Sequence, residues 1–157
     1  MAFNFNADDI FKMAEEIEQN GAAFYKEASK NVSDERYKKL LSDLASMELD
    51  HYRTFSSMHS SLSDKEKEPT VFDPMNESVM YLKALADTQV FYKKQLDTAS
   101  IKSILLNAIG MEKDSIVFYV GIKDLVPEKL GKNKIDNIID EEKKHIRLLA
   151  NELTALK

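Results

Sequence analysis

The sequence predicts an all-α protein, four long helices folded as two antiparallel hairpins into one bundle. Three observations carry that prediction. Gly is only 4 and Pro only 3 in 157 residues, a balance that suits helices and leaves a sheet without turns. Apolar residues recur at spacings of three and four along four separate stretches, the mark of a helix with one buried face. A set of polar residues also repeats: Glu18, Glu48 and His51 return as Glu112, Glu142 and His145, each displaced by the same 94 positions. The chain holds only 3 histidines, so two of them keeping one relation to two glutamates is a poor candidate for coincidence. A chain of this length fits a single domain, residues 1–157, large enough to bury a substantial core.

The first helix is expected from Asn6 to about Lys30, with Ile10, Met13, Ala14, Ile17, Gly21, Phe24, Tyr25 and Ala28 on its buried face. Asn6 can cap it, and Asp8 and Asp9 lie in the first turn, where negative charge meets the positive end of the helix dipole. Ser33 or Asp34 can cap the second helix, which carries Tyr37, Leu40, Leu41, Leu44, Met47, Glu48, His51, Tyr52 and Phe55 and ends near Ser60. The polar stretch from Ser61 to Asp73, holding Pro69 and followed by Pro74, reads as a long connector. Within the connection a short helix is expected from about Asn76 to Asp87, then a looser piece through Gln95. The third helix should run from about Thr98 to Asp124 along Ile101, Leu105, Ala108, Ile109, Glu112, Ile116, Tyr119 and Ile122. Pro127 suits the first turn of a fourth helix carrying Ile135, Ile138, Ile139, Glu142, His145, Ile146, Leu149 and Leu153, with Gly131 as an interruption of its first turns.

Each half supplies one glutamate and then, thirty residues later, a Glu-x-x-His pair, which lies on one helical face and can grip one ion. Glu18 and Glu48 stand about thirteen and fifteen residues from the turn between their helices, roughly 20 Å at 1.5 Å per residue, so they come to matching heights. Glu112 and Glu142 straddle the second turn, near Leu125, in the same way. The neighbours of all four are mostly apolar: Phe11, Ala14, Ala22 and Tyr25 about Glu18; Leu41, Leu44, Tyr52 and Phe55 about Glu48; Leu105, Ala108, Ile116 and Tyr119 about Glu112; Ile135, Ile138, Ile146 and Leu149 about Glu142. Carboxylates aimed into a core need a positive partner. No lysine or arginine lies among these neighbours, whereas two divalent cations cancel four glutamates. Oxygen-rich ligation with one imidazole per ion suits iron or manganese, with zinc as an alternative and calcium a poor match for histidine. Two irons are the expectation.

The remaining composition excludes other classes. A net charge of −5 and a pI near 5.3, with no basic stripe, argue against nucleic acid as a partner. No cysteine means no disulfide, thiolate metal site or thiol nucleophile among these residues. The acidic start MAFNFNADDIFKMAEE does not resemble a signal peptide, and no apolar run approaches a membrane span, so a cytoplasmic protein with no membrane partner is expected. His59, among serines, is expected at the surface, and Met13, Met47, Met58, Met75, Met80 and Met111 are expected as core filler.

These residues together resemble the ferritin-like di-iron carboxylate proteins, whose bundle core takes one Glu from each of two helices and a Glu-x-x-His from each of the others. Within that superfamily the chain looks most like the rubrerythrin-related proteins. The segments EIEQNGAAFY (16–25) and GMEKDSIVFY (110–119) share an x-Glu-x5-Phe-Tyr frame, and IIDEEKKHI (138–146) reads like that family's fourth helix. The resemblance implies a ferritin-like four-helix bundle, Glu48 and Glu142 as bridging carboxylates, and Glu18 and Glu112 as terminal ligands. Tyr25 and Tyr119 follow their helix glutamates by seven, as candidate hydrogen-bond donors to the carboxylates or as plain core residues. Rubrerythrins carry a further Glu one turn after the third-helix ligand. Here that place is Ser115, with Asp114 expected to point elsewhere. They also carry a cysteine-rich rubredoxin domain that delivers electrons, and these 157 residues have no such segment.

The resemblance implies an oxidoreductase first: a di-iron centre reducing peroxide or dioxygen, re-reduced by an external electron donor, in a homodimer. A ferroxidase or iron-handling protein is the second reading, and a metal-free helical interaction module the third.

Overall fold

The computed structural model describes residues 7–62, 80–82, 84, 99–123, 126 and 128–156, and among these it is helical with no strand. Four long helices follow in order: α1, Ala7–Asn31; α2, Glu35–Ser60; α3, Ile101–Lys123; and α4, Lys132–Ala155. Each packs most closely on its sequence neighbour, giving the hairpins α1–α2 and α3–α4, and the hairpins meet through α1 with α3 and α2 with α4. The expected all-α bundle of two hairpins is therefore the observed architecture. The Asn6 cap, most of the short helix expected at 76–87, the segment through Gln95, Met75, Leu125 and Pro127 lie outside the described residues.

The connections follow from local chemistry. Asp34 sits in extended backbone and its side chain accepts from Arg36 N at 2.8 Å, capping α2 as expected. The fourth helix starts at Lys132, later than the sequence suggested, because a 3-10 turn at Glu128–Leu130 and then Gly131 come first. Gly131 has φ 111°, a left-handed conformation that favours glycine, and a Cβ there would stand 2.5 Å from Met58 Cε, so the flexible end of Met58 would also have to shift. Arg36 reaches across to donate to both Glu152 oxygens at 2.6 and 2.7 Å, tying the start of α2 to the end of α4.

The core forms two apolar layers with a gap between them. One layer contains Phe11, Ala14, Ile17, Phe55, Met58, Phe118, Ile122, Ile135 and Ile138. The other holds Tyr25, Ala28, Leu41, Leu44, Ile104, Leu105, Ala108 and Leu149. Burying each such side chain contributes about 1.5–3 kcal/mol, so the layers hold the four helices in register. The positions left between the layers are 18, 48 and 51 on one hairpin and 112, 142 and 145 on the other. α3 shows Leu106, Val117 and Val120 to the outside, at 50%, 44% and 46% exposure.

Candidate metal centre

All six repeated residues are brought together. Glu18, Glu48, His51, Glu112, Glu142 and His145 are each no more than 4% exposed, and they are the buried polar and charged side chains among the described residues. His51 turns Nδ1 towards the carboxylates, 3.0 Å from Glu142 Oε1, 3.4 Å from Glu48 Oε2 and 3.5 Å from Glu18 Oε2. His145 does the same on the other side, 3.1 Å from Glu142 Oε2, 3.3 Å from Glu112 Oε1 and 3.8 Å from Glu48 Oε1. Two ligand groups result, Glu18, Glu48, His51 and Glu142, and Glu48, Glu112, Glu142 and His145, with the donor atoms of each within 4.8 Å of one another. Glu48 and Glu142 belong to both. The imidazoles stack across the centre with ring centroids 5.8 Å apart.

The tyrosines tie the hairpins together. Tyr25 on α1 donates its hydroxyl to Glu112 Oε1 on α3 at 2.6 Å, and Tyr119 on α3 donates to Glu18 Oε1 on α1 at 2.5 Å. Burial and then the neighbouring glutamates push both phenols well above their usual pKa, so they stay protonated donors.

Proton affinities show how strongly the cluster draws positive charge. Burial, with Glu142 adding and His145 opposing, pushes the Glu112 carboxyl up to about 8. Burial and then the charge of Glu18 raise Glu48 well above the carboxylate range. Glu142 goes the other way: burial raises it, but bonds with Glu112, His145 and His51 outweigh burial and hold it low. Burial opposes protonation of both imidazoles, yet bonds to Glu142, Glu18 and Glu48 raise His51, and those to Glu112 and Glu142 raise His145 to about 9. Among the described residues no lysine or arginine pairs with any of the four glutamates. Four carboxylates and two imidazoles in a buried layer, with no lysine or arginine beside them, form a donor set that fits two divalent ions.

A cavity of about 50 Å³ opens beside the cluster between α1 and α3, lined by Glu18, Glu48 and Glu112 within and by Asn20, Gly21, Asp114 and Ser115 further out. Ser115 donates to Met111 O at 3.0 Å and presents no carboxylate. Asp114 lines this cavity but belongs to neither group of clustered donor atoms.

Two expectations are corrected. His59 is not a solvated surface residue: its Nε2 lies 2.5 Å from Asp8 Oδ1 and its Nδ1 2.9 Å from Glu15 Oε1, clamping the end of α2 to the start of α1. Burial works against its charge, but the two carboxylates outweigh burial and raise its pKa. Met47 is 41% and Met80 61% exposed, so neither is core filler, whereas Met58 is buried. Met47 instead sets its sulfur 3.2 Å from His145 Nε2. Sequence reasoning also missed Glu141, whose Oε2 lies 2.5 Å from His51 Nε2. The signal was present, since Met47 and Glu141 are related by the same 94-residue offset as the ligands.

Two hairpins that meet around a buried set of four glutamates and two histidines define a ferritin-like carboxylate protein with a site able to hold metal. The sequence profile of the Rubrerythrin family matches residues 9–153, and the chain belongs to that family. It is also similar to a Thermotoga maritima crystal structure described as a ferritin-like diiron-carboxylate protein, with a TM-score of 0.73 and 25% identity over 100% of both chains. No curated protein matches the sequence. No helix among the described residues is long and apolar enough to cross a membrane.

Proposed function

We propose that this protein is a dinuclear iron oxidoreductase that reduces peroxide or dioxygen, drawing electrons from an external donor. The observation that carries this reading is the joining of two ligand groups through Glu48 and Glu142 beside a cavity of about 50 Å³. One water needs roughly 10–15 Å³ by this measure, so the cavity has room for a peroxide or a dioxygen molecule. A bound ferrous pair would supply the two electrons that, with two protons, turn hydrogen peroxide into two waters.

The chain's own residues do the rest. Glu18, Glu48, His51 and Glu142 would hold one ion and Glu48, Glu112, Glu142 and His145 the other, with Glu48 and Glu142 common to both groups. Tyr25 and Tyr119 hold Glu112 and Glu18 in place through hydroxyl donors that do not ionise. The apolar layers above and below keep bulk water out and strengthen every charge interaction inside. Gly21 lines the cavity, and a Cβ there would rest in van der Waals contact with Glu48 Cδ at 3.6 Å. The donor set suits iron or manganese better than zinc.

Stopped-flow mixing of anaerobic, ferrous-loaded protein with peroxide or oxygen tests the reading. An absorbance change within seconds is expected with at least one of them. A ferrous protein that stays unchanged with both would overturn it.

A further inference from the structure

The two halves of the centre are unlike in one respect, and the difference lies one residue before each shared glutamate. Both imidazoles turn Nδ1 inward to the carboxylates and Nε2 outward. Behind His51 stands the Glu141 carboxylate at 2.5 Å; behind His145 stands the Met47 thioether at 3.2 Å. One structural place, repeated by the 94-residue offset, is thus filled by an anion on one side and a neutral sulfur on the other. An imidazole that gives its Nε2–H to a carboxylate has its tautomer and ring orientation fixed, and its Nδ1 becomes a stronger base towards a cation. A thioether is a weak acceptor that does little of either.

We propose that the centre has one tight and one weak metal position. The group Glu18, Glu48, His51 and Glu142, backed by Glu141, fills first; the group containing Glu112 and His145, backed by Met47, fills second. Glu141 is a positioning residue that acts on the metal through His51. This inference rests on the reading that the cluster holds two ions. Loss of such a partner lowers metal affinity by about 10–100-fold, which sets the size of the expected effect.

Anaerobic Mn(II) titration of the whole chain, followed by calorimetry and by the EPR signal that separates a lone Mn(II) from a coupled pair, provides the test. The wild type should bind in two resolved steps, with the lone-ion signal rising to one equivalent and then falling as the second ion arrives. Glu141→Ala should weaken the first step by about 10–100-fold and leave the second unchanged. Met47→Glu, at a half-exposed position, should strengthen the second step and narrow the gap. If Glu141→Ala fails to fold, judged by circular dichroism of the metal-free protein, Glu141→Gln and Met47→Glu supply the same comparison. A first step that does not respond to position 141, or two steps that weaken together, overturns the inference while leaving the two-ion reading intact. Fewer than two ions bound by the wild type overturns both.

Discussion

A phenol proton facing a buried carboxylate does two things at once in this protein, satisfying the oxygen and joining two hairpins. Tyr119→Phe removes the hydroxyl donor to the buried Glu18 Oε1, and the cost of leaving such a group unsatisfied is about 1–3 kcal/mol. Urea unfolding of the metal-free variant should show that loss. An unchanged midpoint would mean that the hydroxyl bond carries no stability. The proton loads give a second prediction. Glu112 is raised from 4.5 to about 8 and His145 from 6.5 to about 9, so both hold protons more tightly folded than unfolded. Their stabilisation is fully present below 4.5 and 6.5 respectively and is lost as pH rises through about 8 and 9. The thermal midpoint of the metal-free protein should therefore fall between pH 6.5 and about 9. Metal must displace the same protons, so binding near neutral pH should release acid into a weakly buffered solution, measurable with an indicator dye. A midpoint that climbs across this window, or binding without proton release, contradicts the assignment.

At the scale of the element, Gly131 is the most exacting position. Gly131→Ala places a side chain in left-handed backbone, which costs about 1–2 kcal/mol, and drives its Cβ against Met58. Thermal unfolding should drop accordingly, while Gly110→Ala, with nothing near its Cβ, should not lower it. The long helices were legible because their buried faces repeat at three and four. Asp34 was legible as a cap because its side chain acts on backbone two residues away. Other features lie beyond such local patterns. Lys132, Asn133 and Lys134 carry no apolar period that marks where α4 begins, and only the left-handed turn at Gly131 sets it. His59 reads as exposed from its serine neighbours, but Asp8 and Glu15 reach it from another helix. Met47 falls within the apolar spacing of α2, yet it stands next to Glu48 and so about 100° round the helix, where solvent begins.

For the molecule as a whole, the bundle exists around its charged layer, and removing the two glutamates that serve both ligand groups should separate structure from metal binding. Glu48→Ala with Glu142→Ala should keep the helical circular dichroism and lose both ions by elemental analysis. Retained stoichiometry would show that other residues hold the metal. Sedimentation addresses the competing iron-storage reading: a small oligomer is expected, and a closed shell would favour storage. The six clustered side chains were legible as a set, because a 94-residue offset repeats Glu18, Glu48 and His51, and also Tyr25 as Tyr119, whereas Glu141 and Met47 behind the imidazoles were not, since their types differ across the repeat. The way the halves interlock was not, since nothing in the spacing says that each tyrosine serves the glutamate of the opposite hairpin.

That interlocking also bears on how the protein is made. The first ligand group takes three of its members from the opening hairpin but needs Glu142, and the second needs Glu48 from a segment made long before the rest. At about 5–20 residues per second, the ribosome reaches Glu142 roughly 5–20 s after Glu48. During that interval Phe11, Leu41, Leu44 and Phe55 have no opposite layer to cover them. Neither ligand group can be complete before translation of the last helix, so assembly of the full centre belongs to the finished chain, and the nascent one has an apolar face to shield.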